Sequence, residues 1–192
     1  LTASAVGVLA LQGAFQAHID VFEELGCDAR VVKTPDQLAD VERLVIPGGE
    51  STTMNLLLDR NNLRAPIEER VAAGMPVFGT CAGMIVLAAR VLDGRPDQEP
   101  LNAIDITVRR NAYGRQIDSF EATLPVPVLG EPDLPAIFIR APAVEKVGDD
   151  VEVLAEVDGA PVLCQQGAVL VSSFHPELSG DSRLHRYFVA IS

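Results

Sequence analysis

Basic residues are scarce in this chain: 15 lysines and arginines stand against 27 aspartates and glutamates, for a formal net charge of −12 at pH 7. Such a surface repels a phosphate backbone, and no basic stripe or interleaving of aromatic and basic side chains offsets it, which argues against a nucleic-acid partner. Cysteine is scarce as well. Cys27, Cys81 and Cys164 are widely spaced, odd in number and without a C-x-x-C pair. Neither a disulfide framework nor a structural zinc site is indicated, and a reducing, cytoplasmic setting fits best. No stretch approaches the ~18 consecutive apolar residues of a membrane helix, so no membrane association is expected. The apolar start, residues 3–11, has the character of a signal-peptide core, yet no lysine or arginine precedes Arg30. Without a basic flank it reads as a first strand. Internal repeats and low-complexity tracts are absent too.

What is present is a chain of 192 residues, 48% hydrophobic and 22% charged. That composition fits one globular domain, residues 1–192, with a full core. Residues 6–11 form an apolar run too short for a helix, the pattern of a strand buried on both faces. Phe15, Ile19, Phe22 and Leu25 then follow at helical spacing, with Gly26 as the stop. Strands are expected at 29–32 and 43–46, with a short helical turn at 35–38 between them. Helices follow at 51–60, capped by Ser51, Thr52 and Thr53, and at about 63–73. This alternation indicates a mostly parallel sheet with helices on both faces, a flavodoxin-like three-layer α/β sandwich. Beyond residue 91 the character changes to short alternating strands at 104–108, 119–122, 136–139, 151–154 and 162–164. Asp158-Gly159 is a hairpin turn between the last two. A buried strand at 169–174 and a closing helix at 183–191 complete the chain.

The stretch that organises the rest is Phe78-Gly79-Thr80-Cys81-Ala82-Gly83. Residues 76–78 read as the end of a buried strand and 84–89 as a helix, so one cysteine occupies the sharp turn between them. This is a G-x-nucleophile-x-G elbow with sulfur as the nucleophile. Its glycines remove the Cβ atoms that would collide where strand and helix approach each other. The N–H of Ala82 and the start of the helix point at the same place, where a positive helix end stabilises negative charge. A nucleophilic cysteine needs a base, and the choices are His18, His175 and His185. His18 and His185 fall within helices, where a solvated or interface histidine is expected; His175 follows a buried strand at the sheet's edge. Residues two apart in an extended segment share a side, so Glu177 faces His175 and fixes its tautomer. The H-x-E of zinc deaminases would also require P-C-x-x-C downstream, and no cysteine follows Glu177. Pro47-Gly48-Gly49 supplies bare backbone at another strand end, and Gly49 is the candidate second oxyanion donor beside Ala82. Cys27 and Cys164 read as small core residues.

Together these stretches resemble the class I, or triad, glutamine amidotransferases. The blocks Leu11-Gln12-Gly13, Gly48-Gly49-Glu50-Ser51-Thr52-Thr53, Arg110-Asn111-Ala112-Tyr113-Gly114-Arg115-Gln116, Asp118-Ser119-Phe120, Phe138-Ile139-Arg140-Ala141-Pro142 and Ser173-Phe174-His175-Pro176-Glu177-Leu178 are similar to the glutaminase subunits of two-protein pyridoxal 5′-phosphate synthases. The resemblance implies hydrolysis of L-glutamine to glutamate and ammonia, with the ammonia taken up by a partner, the barrel-shaped PLP synthase subunit. Pyridoxal phosphate is then a product, so no cofactor and no metal is expected. By motif the resemblance makes Cys81 the nucleophile, His175 the general base and acid, and Glu177 the orienting carboxylate. Gly49, Glu50, Ser51, Arg110, Ile139 and Arg140 would bind substrate, a guanidinium being suited to its α-carboxylate. Gln12 belongs to a segment near both the active site and the synthase interface. Three other readings compete: the glutaminase of another synthase such as the imidazole glycerol phosphate system, an inactive regulatory module, and a cysteine peptidase or redox sensor on a related fold.

Overall fold

The computed structural model describes residues 5–95, 99–110 and 119–192. The apolar start forms strand β1 (Ala5–Leu9), followed by helix α1 (Phe15–Glu24), β2 (Asp28–Val32), the short α2 (Pro35–Ala39) and β3 (Arg43–Ile46). Helices α3 (Ser51–Arg60) and α4 (Arg64–Ala72) lead to β4 (Val77–Thr80) and α5 (Ala82–Leu87). The second half adds β5 (Ala88–Val91), β6 (Ile104–Arg109), β7 (Ser119–Leu124), β8 (Leu134–Ile139), β9 (Ala143–Val147), β10 (Glu152–Val157), β11 (Ala160–Gln166), β12 (Val169–Ser172) and α6 (Arg183–Ala190).

The main sheet runs β10-β11-β12-β4-β3-β1-β2. From β12 to β2 every pairing is parallel, while β11 and β10 are antiparallel additions at one edge. The pleat sends alternate side chains to opposite faces. Leu44, Ile46, Val77, Val169 and Val171 join a core with α3, α4 and α5. Val6, Val8, Val45, Phe78 and Leu170 join a second core with α1 and α6. Two cores on two faces of one sheet are what the near-continuous apolar runs require, and they make the α/β sandwich. No helix among the described residues is long and apolar enough to cross a membrane.

Three local features differ from the sequence expectation. The helix after Cys81 ends at Leu87, and residues 88 and 89 open β5, which pairs with β6. Long-range ladder bonds override the helix propensity of two alanines there. Helix α3 is capped by Glu50, whose carboxylate accepts from the backbone of Thr52 and Thr53, so the residues after it are its first turn. Strand β9, antiparallel to β6, carried too short and too charged a pattern to be read. The Asp158-Gly159 hairpin does form, with φ of 51° and 79°, values matching a type I′ turn. The block from Asn111 to Gln116, and Asp118, lie outside the described residues.

Candidate active site

In a parallel sheet the loops at the carboxyl ends of the strands share one edge, and ligands bind there. Four such loops converge here, after β1, β3, β4 and β12.

Strand β4 ends at Thr80, and Cys81 turns the chain with φ 50° and ψ −103° before α5 begins. A side chain held in that left-handed region costs on the order of 1–3 kcal/mol, which the surroundings must offset. They do so by close packing. A Cβ on Gly83 would lie 2.0 Å from the Ile46 carbonyl oxygen, and one on Gly79 would lie 2.7 Å from the Gly83 backbone. The Cys81 N–H also donates to the Ser172 carbonyl at 2.8 Å, tying the elbow to β12.

Beyond β12 the His175 N–H donates to the Ile137 carbonyl at 2.8 Å, which anchors the segment on β8. The chain then makes a 3₁₀ turn at Pro176–Leu178 rather than continuing extended. That turn folds Glu177 back, and its Oε1 lies 2.8 Å from His175 Nδ1. The Cys81 side chain lies beside the same imidazole and acts on its protonation. Burial alone would lower the His175 pKa, but the hydrogen bonds and charges of Cys81 and Glu177 outweigh it and raise it to about 10. Burial likewise pushes the Glu177 carboxyl up, and the His175 hydrogen bond with the charges of His18 and His175 brings it below the usual range. Gly48 sits against this pair: a Cβ there would lie 2.4 Å from His175 Cε1 and 3.5 Å from Cys81 Cβ.

The loop after β1 presses on the loop after β3. Gly48 O accepts from the Ala14 N–H at 3.3 Å, and Gln12 Oε1 accepts from the Glu50 N–H at 3.1 Å. Gly49 has φ 151°, and a Cβ on it would strike the Gln12 amide at 2.5 Å, so this position takes only glycine. Partial burial pushes the Glu50 carboxyl up, but the donors of Thr53 and Thr52 dominate and hold its pKa at about 2. Its Oε1 also accepts from Arg110 Nη2 at 3.1 Å, and the Arg110 N–H donates to Asp93 Oδ1 at 2.7 Å. The Arg110 guanidinium is thus aimed by an anion fixed to a helix start.

These loops enclose an open cleft of about 500 Å³. Gly49, Glu50, Ser51, Cys81, Ala82, Arg110, Ile139, Arg140 and His175 all line it, while Glu177 and Gln12 stand behind its wall. Cys81 Sγ is 3.9 Å from the Ile139 carbonyl oxygen, and Arg140 follows with φ 44°. Ala14, Gly48, Ile85 and Leu178 line the cleft as well; Ile85 follows Cys81 by one helical turn, a spacing visible in sequence. His18 and His185 are not solvated as expected: both are 0% exposed. Phe15, His18, Ile19 and Phe22 form one i, i+3, i+4, i+7 stripe, a signal that places His18 on the buried face of α1.

A model of the SNO glutamine amidotransferase family matches residues 8–191. The pyridoxal 5′-phosphate synthase subunit PdxT of Herpetosiphon aurantiacus is 55% identical over 188 residues, covering 97% of this chain and 99% of that protein. The protein of the same name from Acidothermus cellulolyticus is 56% identical over 191 residues, covering 97% and 92%. A crystal structure of a glutamine amidotransferase superposes with a TM-score of 0.92 at 46% identity and 97% coverage of both chains. A chain in the structure of PurLQS from Thermotoga maritima, 17% identical with a TM-score of 0.65 over 98% of both chains, shares the fold. Agreement of this extent, in sequence along nearly the full length and in backbone geometry, means that the chain belongs to the SNO glutamine amidotransferase family.

Proposed function

We propose that this chain hydrolyses L-glutamine to L-glutamate and ammonia through Cys81, His175 and Glu177, and hands the ammonia to a barrel-shaped synthase subunit that builds pyridoxal 5′-phosphate. The observation that carries the reading is a cysteine on a strained elbow that opens onto the cleft beside an imidazole hydrogen-bonded to a buried carboxylate. With its pKa raised to about 10, His175 carries a proton at neutral pH, and the reacting form of Cys81 is its thiolate. The thiolate attacks the glutamine carboxamide, and backbone N–H groups of Gly49 and Ala82 take the developing oxyanion. His175 gives its proton to the departing ammonia, leaving a γ-glutamyl thioester. Water activated by the same imidazole then attacks the thioester and releases glutamate, regenerating the pair. Glu50, Ser51 and Arg110, with Ile139 and Arg140 opposite, hold the amino-acid end of the substrate. Gln12, bonded to the Glu50 N–H, couples the cleft to the surface where the synthase docks. The chain acts as one amidotransferase domain over residues 1–192, in the cytoplasm, with no cofactor of its own.

The test is glutamate release from L-glutamine by the chain alone and with the pyridoxal phosphate synthase subunit, with Cys81→Ala as the blank. Stimulation by that subunit is expected, as is a folded but inactive Cys81→Ala. Hydrolysis indifferent to the subunit would point to another synthase, and turnover by Cys81→Ala near the wild-type rate would end the assignment.

A further inference from the structure

The carboxylate of Glu177 has two oxygens, and His175 uses one. Oε2 is fully buried and has no hydrogen-bond partner among the described residues. The group that faces it comes from α1: His18 Nε2 lies 3.4 Å from Glu177 Oε2 and 3.3 Å from Thr80 Oγ1. On its other side His18 Nδ1 lies 3.0 Å from Nε2 of His185 on α6. His185 Nδ1 is buried with no hydrogen-bond partner among the described residues.

One tautomer assignment satisfies these contacts. If His185 carries its proton on Nε2, it donates to His18 Nδ1; His18 then carries its proton on Nε2 and shares it between Glu177 Oε2 and Thr80 Oγ1. The position left over is the His185 Nδ1 lone pair, which costs less to bury than an unpaired N–H. In the opposite assignment His18 Nδ1 donates to His185, and the bare Nε2 lone pair of His18 faces a carboxylate oxygen. Two acceptors then meet beside a negative charge. Burial keeps both rings neutral: it brings His18 to about 4, against the pull of Glu177, and His185, with His18 adding to the effect, to about 3. The titratable groups facing this cluster are Glu177 and His175 on the turn, His18 on α1 and His185 on α6.

We propose that His18 is a positioning residue for the triad, donating from Nε2 to the second oxygen of Glu177 with its tautomer set by His185. The carboxylate is thereby held from both oxygens, and a hydrogen bond donated to its charged form favours ionisation. This rests on the catalytic reading above, and the experiment separates the two. In the full chain with ¹⁵N-labelled histidine, nitrogen spectra at pH 7 report each ring's tautomer, whether or not glutamine turns over. Neutral Nε2–H forms of both His18 and His185 are expected, and a neutral Nδ1–H form of His18 overturns the proposal. In glutamate-release assays with the synthase subunit, His18→Leu is expected to lower kcat roughly 10- to 100-fold. KM should stay within about twofold, and the acid limb of the pH profile should move to higher pH, because Glu177 loses a donor to its charged form. His18→Gln, which keeps a donor of similar reach, should recover most of the rate. Unchanged kcat and pH profile in His18→Leu, or equal loss in the glutamine variant, overturns the proposal. Should His18→Leu not fold, the tautomers and the His18→Gln rate still decide. A wild type that turns over no glutamine condemns the catalytic reading, while the tautomers still judge the hydrogen-bond chain.

Discussion

Glu177 orients His175 through a 2.8 Å contact and helps to keep that imidazole protonated in a buried setting. Glu177→Gln replaces the acceptor with an amide that can present its N–H₂ to the ring, and it removes the charge. The expected loss is roughly 10²- to 10⁴-fold in kcat, the range associated with an oriented acid–base group. Thioester formation should be slowed without being abolished, which trapping with a reactive glutamine analogue would reveal; an unchanged steady-state rate would remove Glu177 from the mechanism. In the proposed reaction Arg110 serves substrate binding rather than the chemistry. Its guanidinium is held by Glu50 in the lining of the cleft. Arg110→Ala should therefore raise KM for L-glutamine about tenfold or more while changing kcat less, the signature of lost ground-state binding.

Among the elements, the elbow and the loop after β3 use glycine for two different reasons, and two substitutions separate them. Gly83 is helical, so alanine there would gain about 1 kcal/mol of helix propensity. Its Cβ would nevertheless lie 2.0 Å from a backbone oxygen of β3, which cannot rotate away. Overpacking of this kind costs about 1–3 kcal/mol or more, so Gly83→Ala should lower the urea midpoint clearly. A Cβ on Gly48 meets the His175 ring instead. Gly48→Ala should keep a near-native midpoint while displacing the imidazole and losing most of the activity. If both variants changed stability and activity in parallel, this division of roles would be wrong.

At the scale of the whole molecule, buried histidines of opposite tendency shape the pH dependence of stability. His18 and His185 are lowered to about 4 and 3 in the folded protein, against 6.5 in an unfolded chain. Between these values the unfolded state binds more protons, so the stability they confer, complete above 6.5, is lost as pH falls. Glu177, with its pKa also lowered, adds a loss of the same sign below the ordinary carboxylate range. His175, raised to about 10, acts in reverse: its contribution is complete below 6.5 and disappears as pH rises through 10. Each proton difference gives a slope of about 1.4 kcal/mol per pH unit where it is fully developed. Urea midpoints should therefore peak near pH 6.5 and fall on both sides, with the alkaline fall reduced in His175→Ala. A midpoint that rises steadily from pH 7 to pH 10 would contradict the assignment of His175.

Much of this was determined by the chain locally. Strands β1, β3, β4 and β12 are short apolar runs buried on both faces, and burial of that kind leaves a two-sided parallel sheet as the consistent arrangement. The elbow glycines, the Pro-Gly-Gly loop and His-Pro-Glu each carry their chemistry within a few residues, so Cys81, Gly49 and His175 were legible as candidates from residue type and spacing. The tertiary structure decided what depends on contacts between distant segments. It ended α5 at Leu87 because residues 88–91 pair with β6. It set Glu177 against His175 by a 3₁₀ turn rather than by strand alternation. It brought His18, His185 and Glu177, separated by up to 167 positions, into one buried cluster. Periodicity shows which face of a helix is buried; which polar atom waits on the other side of that face is settled only when α1 and α6 close over the same sheet.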